Sequence, residues 1–468
     1  RAAGSAVLTV AGYGMTGATA VVVHRPVQSL TITPSASGGA LRLVPRTSRR
    51  FEVLPLAADS TPVREASAAW NVGDGSVARF DPGTGTLTAL RPGTTTLAAV
   101  VEGFAPVTWQ VEVVPGRVSL DRARFGLVLG ARDSLRATLT DESGEPVDGV
   151  APAFTWSSSS PSVVVSGDGA VEARALGRAT VTATSEWGTA ASAELFVTGD
   201  LLVASSRGGA TPQSLGIHQI PPGSGELVTI HSDGAANIEP AWSPDRSRIA
   251  FSSSRAGTFD LYVMDADGAN VTRVTADSGS ESAPAWSPDG TRLYFVSDQG
   301  GGSAIESVAP DGSGRAAVAS GPGGHRTPAV ARDGRVAFAS ARDGNFEIYV
   351  AGADGGNVQR VTTNPAREHY PRWLPGGVLA YVADAARGGS AIVRLGAEGA
   401  SRIVESPDPI VSLAVAPDGS RIAWVAGRML DRSGSEIEYR LEVRPLAGTA
   451  APIVIRGAPA EQLATPSF

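Results

Sequence analysis

The feature that most narrows what this chain can fold into is a repeat. Residues 239–275 read EPAWSPDRSRIAFSSSRAGTFDLYVMDADGANVTRVT, and the opening recurs at Pro284, Pro328 and Pro371 with a period of about 44 residues. A weaker copy, SLAVAPDGSRIAWVAG, starts at Ser412. Each full copy holds four short segments. PAW leads through a Pro-Asp turn into RIAFSS or RLYFVS; DLYVMD or EIYVAG then reverses at Asp267-Gly268 or Asp354-Gly355 into VTRVT or VQRVT. Proline presets φ for the first turn, and Asp-Gly favours the left-handed conformations of a tight hairpin. Four strands in a repeat of this length indicate a β-propeller, one copy to a blade. Trp242, Trp286 and Trp373 recur at one place in the copy, where we expect each ring wedged between neighbouring blades, contributing roughly 2–3 kcal/mol by burial.

The ends of the repeat region set the expected blade number. Residues 201–206, 215–220 and 226–230 supply three strands with no PAW segment before them, whereas ATPSF at 464–468 aligns with APAW and is followed by nothing. A C-terminal strand that completes the blade begun at Leu201 gives six blades in a closed ring. Closure removes the exposed sheet edges that invite aggregation.

These motifs resemble the WD40-like repeats of the TolB-type propeller family, with a pattern near PxWSPDGxxIAFxSxRxGxxDIYVxxxDG, and the resemblance covers residues 200–468. The copies at Pro371 and Leu413 lack its Asp-x-Tyr element. A second repeat precedes it. Residues 27–114 and 118–197 each place a tryptophan (Trp70, Trp156) ahead of a glycine (Gly93, Gly177) that opens an alternating strand. About seven short strands with glycine-rich turns imply a β-sandwich. FTWSSSSPSVVVSGDGAVEARALGRATVTATS in the second copy resembles bacterial Ig-like domains of group 2, which implies spacer or adhesive modules. Residues 4–23 line up with the last hairpin of both copies, so residues 1–25 are expected to be the C-terminal hairpin of an incomplete Ig-like domain. Its other strands would precede Arg1 or come from a neighbour, because two strands alone bury no core. The expected fold is therefore all-β: Ig-like domains at 26–115 and 116–199, and a six-bladed propeller at 200–468 closed by the C-terminal strand. Arg25-Pro26, Pro115-Gly116 and Gly199-Asp200 are the short joints.

Composition excludes several chemistries. Lysine is absent, so all 39 basic residues are arginine, and there is no cysteine. Walker A loops, Schiff-base lysines, thiol nucleophiles and disulfides are thereby ruled out. A net charge of −7 disfavours a nucleic-acid partner, because phosphate binding needs a basic face. No apolar run approaches membrane-spanning length. No Gly-x-Ser-x-Gly elbow is present.

The remaining candidates cluster near the expected channel mouth. His325 and His369 lie three and two residues before Pro328 and Pro371, in segments entering innermost strands of adjacent blades. Glu239, Glu281, Arg326, Glu368 and Arg372 are expected to converge with them. Such a set suits a metal or an anionic sugar; a polar channel rim is the plainer reading, and no metal or cofactor is assigned. Asp265-Ala-Asp267-Gly268 is accounted for by turn geometry rather than calcium. Arg46, Arg49, Arg50, Arg122 and Arg124 are expected on solvated faces, with anionic lipid or an acidic partner as the alternative. The leading functional expectation is a non-enzymatic scaffold of the bacterial envelope, periplasmic or cell-surface. Its Ig-like spacers present the propeller to protein partners, one option being an accessory subunit of a membrane-bound multisubunit complex. The alternative is a carbohydrate-binding or carbohydrate-active protein using the channel mouth.

Overall fold

The computed structural model describes residues 4–12 and 15–23 by their backbone, and 25–35, 40–63, 66–141, 143–147, 152–209, 211, 213–386, 388–430, 437–447, 452–458 and 461–468 in full. Among the described residues the chain is all-β, with one single-turn 3-10 helix at Pro375–Gly377. No helix among them is long and apolar enough to cross a membrane.

Two units of similar plan come first. In residues 27–114 a four-stranded sheet, ordered Leu41–Leu43, Val107–Val113, Gly93–Val100, Ala69–Val72, and two smaller sheets enclose Phe51, Leu87, Leu97 and Trp109. In residues 117–198 the order Arg124–Val128, Ala190–Thr198, Gly177–Ser185, Phe154–Ser158 recurs over Phe125, Leu135, Val181 and Leu195. Alternation is the cause: from Ala179 to Ser185 every second residue of Gly177–Ser185 is buried. Gly93 pairs with Val113, Gly177 with Val197, and Gly4 with Val23 in an N-terminal two-stranded hairpin. The three glycines thus head equivalent registers. The side chains of Val7, Val21 and Val23, for which cover is expected, lie outside the described residues.

Six four-stranded sheets follow. The first joins Val228–His231, Gly216–Ile220 and Leu201–Ser205 to the C-terminal strand Leu463–Ser467. The innermost strands of the second to sixth are Asn237–Trp242, Ser280–Trp286, His325–Val330, Glu368–Leu374 and Ile410–Val415, each followed by three strands in chain order. Their cores run in a cycle. Leu202 and Ile217 of the first sheet share a core with Trp242 and Phe251 of the second. The second and third sheets meet at Leu261 and Phe295, the third and fourth at Ile305 and Phe338, the fourth and fifth at Ile348 and Tyr381. The fifth and sixth meet at Ile392 and Trp424, and the sixth returns to the first at Leu441, Leu201, Leu463 and Phe468. The tryptophans wedge as expected: Trp286 Nε1 donates to the Ala241 carbonyl and Trp373 Nε1 to Ala329, each 3.1 Å away on the preceding sheet. Arg248 and Arg335 cover their outer faces at 4.9 and 4.8 Å.

The joint at Gly199-Asp200 is clamped rather than merely short. Phe196, on the last strand of the second unit, sits in the core shared by the first two of the six sheets. Arg124 and Arg178 lie over its ring at 4.8 and 4.9 Å and reach Asp265 at 2.5 and 2.6 Å; Arg178 also binds Asp267 at 3.0 Å. Arg124 is therefore a junction residue, not the solvated one expected: its stem needs the Phe196 face and its charge needs Asp265. Burial opposes ionisation of Asp265, yet the Arg124 bond, helped by Asn270 and Arg178, holds its carboxyl below the ordinary value. Gly126 N–H donates to the Asp245 carbonyl at 2.6 Å, and a Cβ on Gly126 would stand 2.3 Å from the Arg246 carbonyl oxygen. Gly126→Ala is accordingly expected to pry the junction apart and speed proteolysis near residue 200 several-fold, measured on the native full chain. Phe468→Ala is expected to lower stability by about 3 kcal/mol in urea titration, as for other large buried aromatics, because Phe468 is only 9% exposed in the core that joins the sixth sheet to the first.

Candidate functional site

Each innermost strand carries a register shift, at Ile238/Ala241, Ser282/Ala285, Arg326/Ala329, His369/Arg372 and Ile410/Ser412, and in the closing pair at Leu202/Ala204. At five of the six the bulged residue has positive φ: Glu239 (55°), Ala283 (54°), Thr327 (49°), Tyr370 (53°) and Thr465 (40°). Each precedes a proline. Left-handed backbone costs a non-glycine residue roughly 1–2 kcal/mol, and the bulge re-aims that side chain. Here the aim is common. All five residues line one cavity of about 230 Å³, to which the sixth sheet adds Ala414 and Val415.

Hydrogen bonds stitch the sheets around this cavity. Glu239 N–H donates to Thr465 Oγ1 at 3.0 Å, while Glu239 Oε2 accepts from Ala283 N–H at 2.5 Å and Ser252 Oγ at 3.3 Å. One glutamate thus ties three sheets. The residue after each bulge proline is small, as in Ala241, Ala285, Ala329 and Ser467, except in the fifth sheet, where it is Arg372. Arg372 donates to the Pro371 carbonyl at 2.8 Å. Burial pushes its pKa down to about 10 against the pull of Tyr370 and Glu239, and burial likewise pushes the Glu239 carboxyl up against its hydrogen bonds and the Arg372 charge. The second and fifth sheets are opposite in the cycle, so the Glu239 carboxyl and the Arg372 guanidinium line the channel from opposite sides.

The expected convergence of seven residues is corrected by this geometry. Glu239 and Arg372 line the channel. Glu281, His325 and Glu368 occupy a position two residues earlier in the copy, fully buried and turned into the seams between sheets. His325 packs on Phe338, receives Arg342 Nη2 on Nε2 at 2.9 Å, and has Ser340 Oγ 3.3 Å from Nδ1. Burial foremost, and the Arg342 charge, lower its pKa and keep it neutral. Arg326 is exposed over the Phe346 ring at 4.7 Å, and His369 binds Asp384 Oδ1 at 2.9 Å. The two histidines have different neighbours because they stand one residue out of phase relative to their prolines, and successive strand residues point to opposite faces. That phase difference is visible in the sequence. Tyr370, Thr327 and Thr465, which the sequence reading missed, are found by the same alignment on proline.

Among the described residues one group has metal-ligand spacing: Asp260, Asp277 and Glu281, with ligand atoms within 4.8 Å of one another. Two arginines already serve it. Arg273 binds Asp260 at 2.7 Å, and Arg315 binds Asp277 and lies 3.6 Å from Glu281. Burial and the neighbouring Asp277 push the Glu281 carboxyl up to about 7, so the group fits a shared proton better than a cation.

Residues 209–334 match the family model of the TolB beta propeller domain, and residues 137–194 match that of the bacterial Ig-like domain, group 2. No curated protein matches the chain. Similar solved structures include TolB from Acinetobacter baumannii, at 16% identity and a TM-score of 0.47, covering 67% of this chain and 82% of that one. Putative TolB from Agrobacterium tumefaciens gives 17% and 0.44 over 56% and 90%, and an oligogalacturonate lyase in complex with manganese gives 15% and 0.33 over 51% and 80%.

The Glu281 seam has a definite pH sign. A carboxyl whose folded pKa is raised contributes stability fully present below its unfolded value of about 4.3 and lost as pH rises through the folded one. The thermal midpoint is expected to fall between pH 5 and about 7. Glu281→Gln, which keeps the Gln299 and Arg315 side chains supplied with an acceptor, should flatten that fall; an unchanged slope would place the titration elsewhere.

Proposed function

We propose that the protein is a non-enzymatic binding scaffold of the bacterial envelope, in which Ig-like β-sandwiches carry a closed six-bladed propeller as a platform for a protein partner. The observation that carries this reading is the clamp of Phe196, Arg124, Arg178 and Arg246 at the joint, which fixes the platform on its spacer. A spacer is useful only if the module at its end keeps one orientation, and Gly126 and Asp245 fix that orientation through the backbone. The family matches support both module types, and bacterial Ig-like and TolB-type modules suit a periplasmic or surface location. Accessory membership of a membrane-associated assembly fits the same design.

A second reading, a carbohydrate-binding or carbohydrate-active protein, has Arg372 and Tyr370 in the channel in its favour, since a guanidinium beside a phenol suits an acidic sugar. Site-specific photo-crosslinking in native envelopes separates the two. A crosslinker at exposed Arg326 is expected to capture one envelope protein and a crosslinker at Arg50 none; saccharide turnover lost in an Arg372→Gln variant would instead establish the second reading.

A further inference from the structure

Two seams between sheets are built on the same plan and finished differently. Between the second and third sheets, Asp260 and Glu281 form a buried acidic pair, with Arg273 on Asp260. Between the fourth and fifth, the registers place Glu347 and Glu368 at the same positions, with Arg360 on Glu347 at 2.8 Å. In the first seam Arg315 lies over the Phe295 ring at 5.2 Å, reaches toward Glu281, and is held by Glu306 and Ser297, at 2.5 and 2.9 Å. Strand pairing gives each of these a counterpart in the second seam: Ala400 for Arg315, Tyr381 for Phe295, Val393 for Glu306 and Ala383 for Ser297. The internal arginine is missing, Glu306 and Ser297 that held it are replaced by apolar residues, and Asn364, which donates to Glu368, stands where its third partner Asp277 would. In place of the arginine is an open cleft of about 830 Å³ lined by those four counterparts and by Glu368.

The floor of this cleft is unsatisfied. Glu368 is fully buried, its Oε1 accepts from Asn364, and its Oε2, like Oε2 of Glu347 beside it and of Glu281 in the first seam, has no hydrogen-bond partner among the described residues; what sets Glu368 apart is the open cleft above it. Glu347 stands beside it, and burial together with that like charge raises the Glu368 pKa. The arginines of the rim are engaged elsewhere: Arg402 pairs with Glu405 at 2.9 Å, and Arg367 lies over Phe346 at 5.6 Å. An aromatic ring, apolar walls and a buried carboxyl with one oxygen unpartnered are what a cation on a hydrocarbon stem requires. We propose that this cleft binds a guanidinium carried on an apolar stem, which takes over the role that Arg315 plays inside the neighbouring seam. The source is either a free small molecule or an arginine side chain of a partner protein.

The test uses calorimetric titration of the full chain with N-butylguanidine, N-butylamine and a capped arginine-containing peptide. Saturable one-to-one binding of butylguanidine is expected at roughly millimolar concentration, with butylamine weaker, because the ammonium lacks the planar face that stacks on Tyr381. Glu368→Gln should weaken binding at least tenfold. Ala400→Arg, which supplies the missing arginine from within, should abolish it and raise the thermal midpoint, so a misfolded Glu368→Gln protein would leave the idea testable. A peptide at least tenfold tighter than butylguanidine assigns the site to a partner's arginine; equal affinities assign it to a free ligand. No saturable binding, or binding that both variants leave unchanged, overturns the proposal.

Discussion

Pairing of the C-terminal strand with the first of the six sheets is the contact on which the rest of the ring depends. Leu463, Ala464 and Ser467 pair with Ser205, Ala204 and Leu202, so residues far apart in sequence share one sheet. Such a non-local contact costs loop-closure entropy. It is correspondingly reinforced. Glu461 accepts from Ser205 and Arg207 at 2.9 Å, and Arg421 covers the Phe468 ring at 5.1 Å while binding Asp200. Asp200 is the residue that leaves the second N-terminal unit, so the pairing of the C-terminal strand and the docking of that unit converge on one arginine. Without the closing strand, Leu201 and Val203 would lose their cover, and with them the floor beneath that arginine.

Much of this was legible in the sequence because each element is fixed by local chemistry. Pro-x-Trp marks the innermost strand, and Asp289 caps its turn by accepting from Ser287, at 2.6 Å, and from Thr291. Those bonds hold the Asp289 carboxyl down to about 2. The cycle of sheets follows from counting such units. The candidate site was less legible because a bulge breaks the alternation on which strand readings rest. In the loops, Glu239 and Glu281 look equivalent. In the fold the first lines the channel and the second lies in a seam, since the bulge swings the residue before proline inward and leaves the residue two places earlier buried between sheets. Side-chain identity announced chemistry; position relative to proline decided where it went.

Arg246 shows the same lesson at the junction. Its counterpart in the next copy is Gly290, and both have positive φ, 56° and 69°. A glycine carries that conformation at no steric cost, whereas an arginine carries it at a cost of roughly 1–2 kcal/mol. The cost is offset by what its side chain does: it covers Trp242 at 4.6 Å and donates to the Gly199 carbonyl at 2.6 Å. Burial lowers its pKa to about 10, which leaves it charged at neutral pH. A repeat-breaking residue in a strained position is thus explained by the domain next door, not by the blade it belongs to.

In a chain of repeats the informative residues are those that differ from their own copies, because the copies hold backbone and surroundings nearly constant. Arg372 puts a guanidinium into the channel where the equivalent residues Ala241, Ala285, Ala329 and Ser467 are small. Arg246 in place of glycine marks the contact with the second N-terminal unit. Ala400 opposite Arg315 is the inverse case: a side chain withdrawn, together with the carboxylate and hydroxyl that would have held it, while the buried acid it served remains. Loss of a single partner from a buried charge is strongly destabilising, so retention of Glu368 beneath an open cleft requires either a shared proton with Glu347 or a cation from outside. Both states are available to the same pair of carboxyls. The first leaves the seam uncharged, and the second would place whatever carries the cation at the seam between the fourth and fifth sheets rather than in the channel.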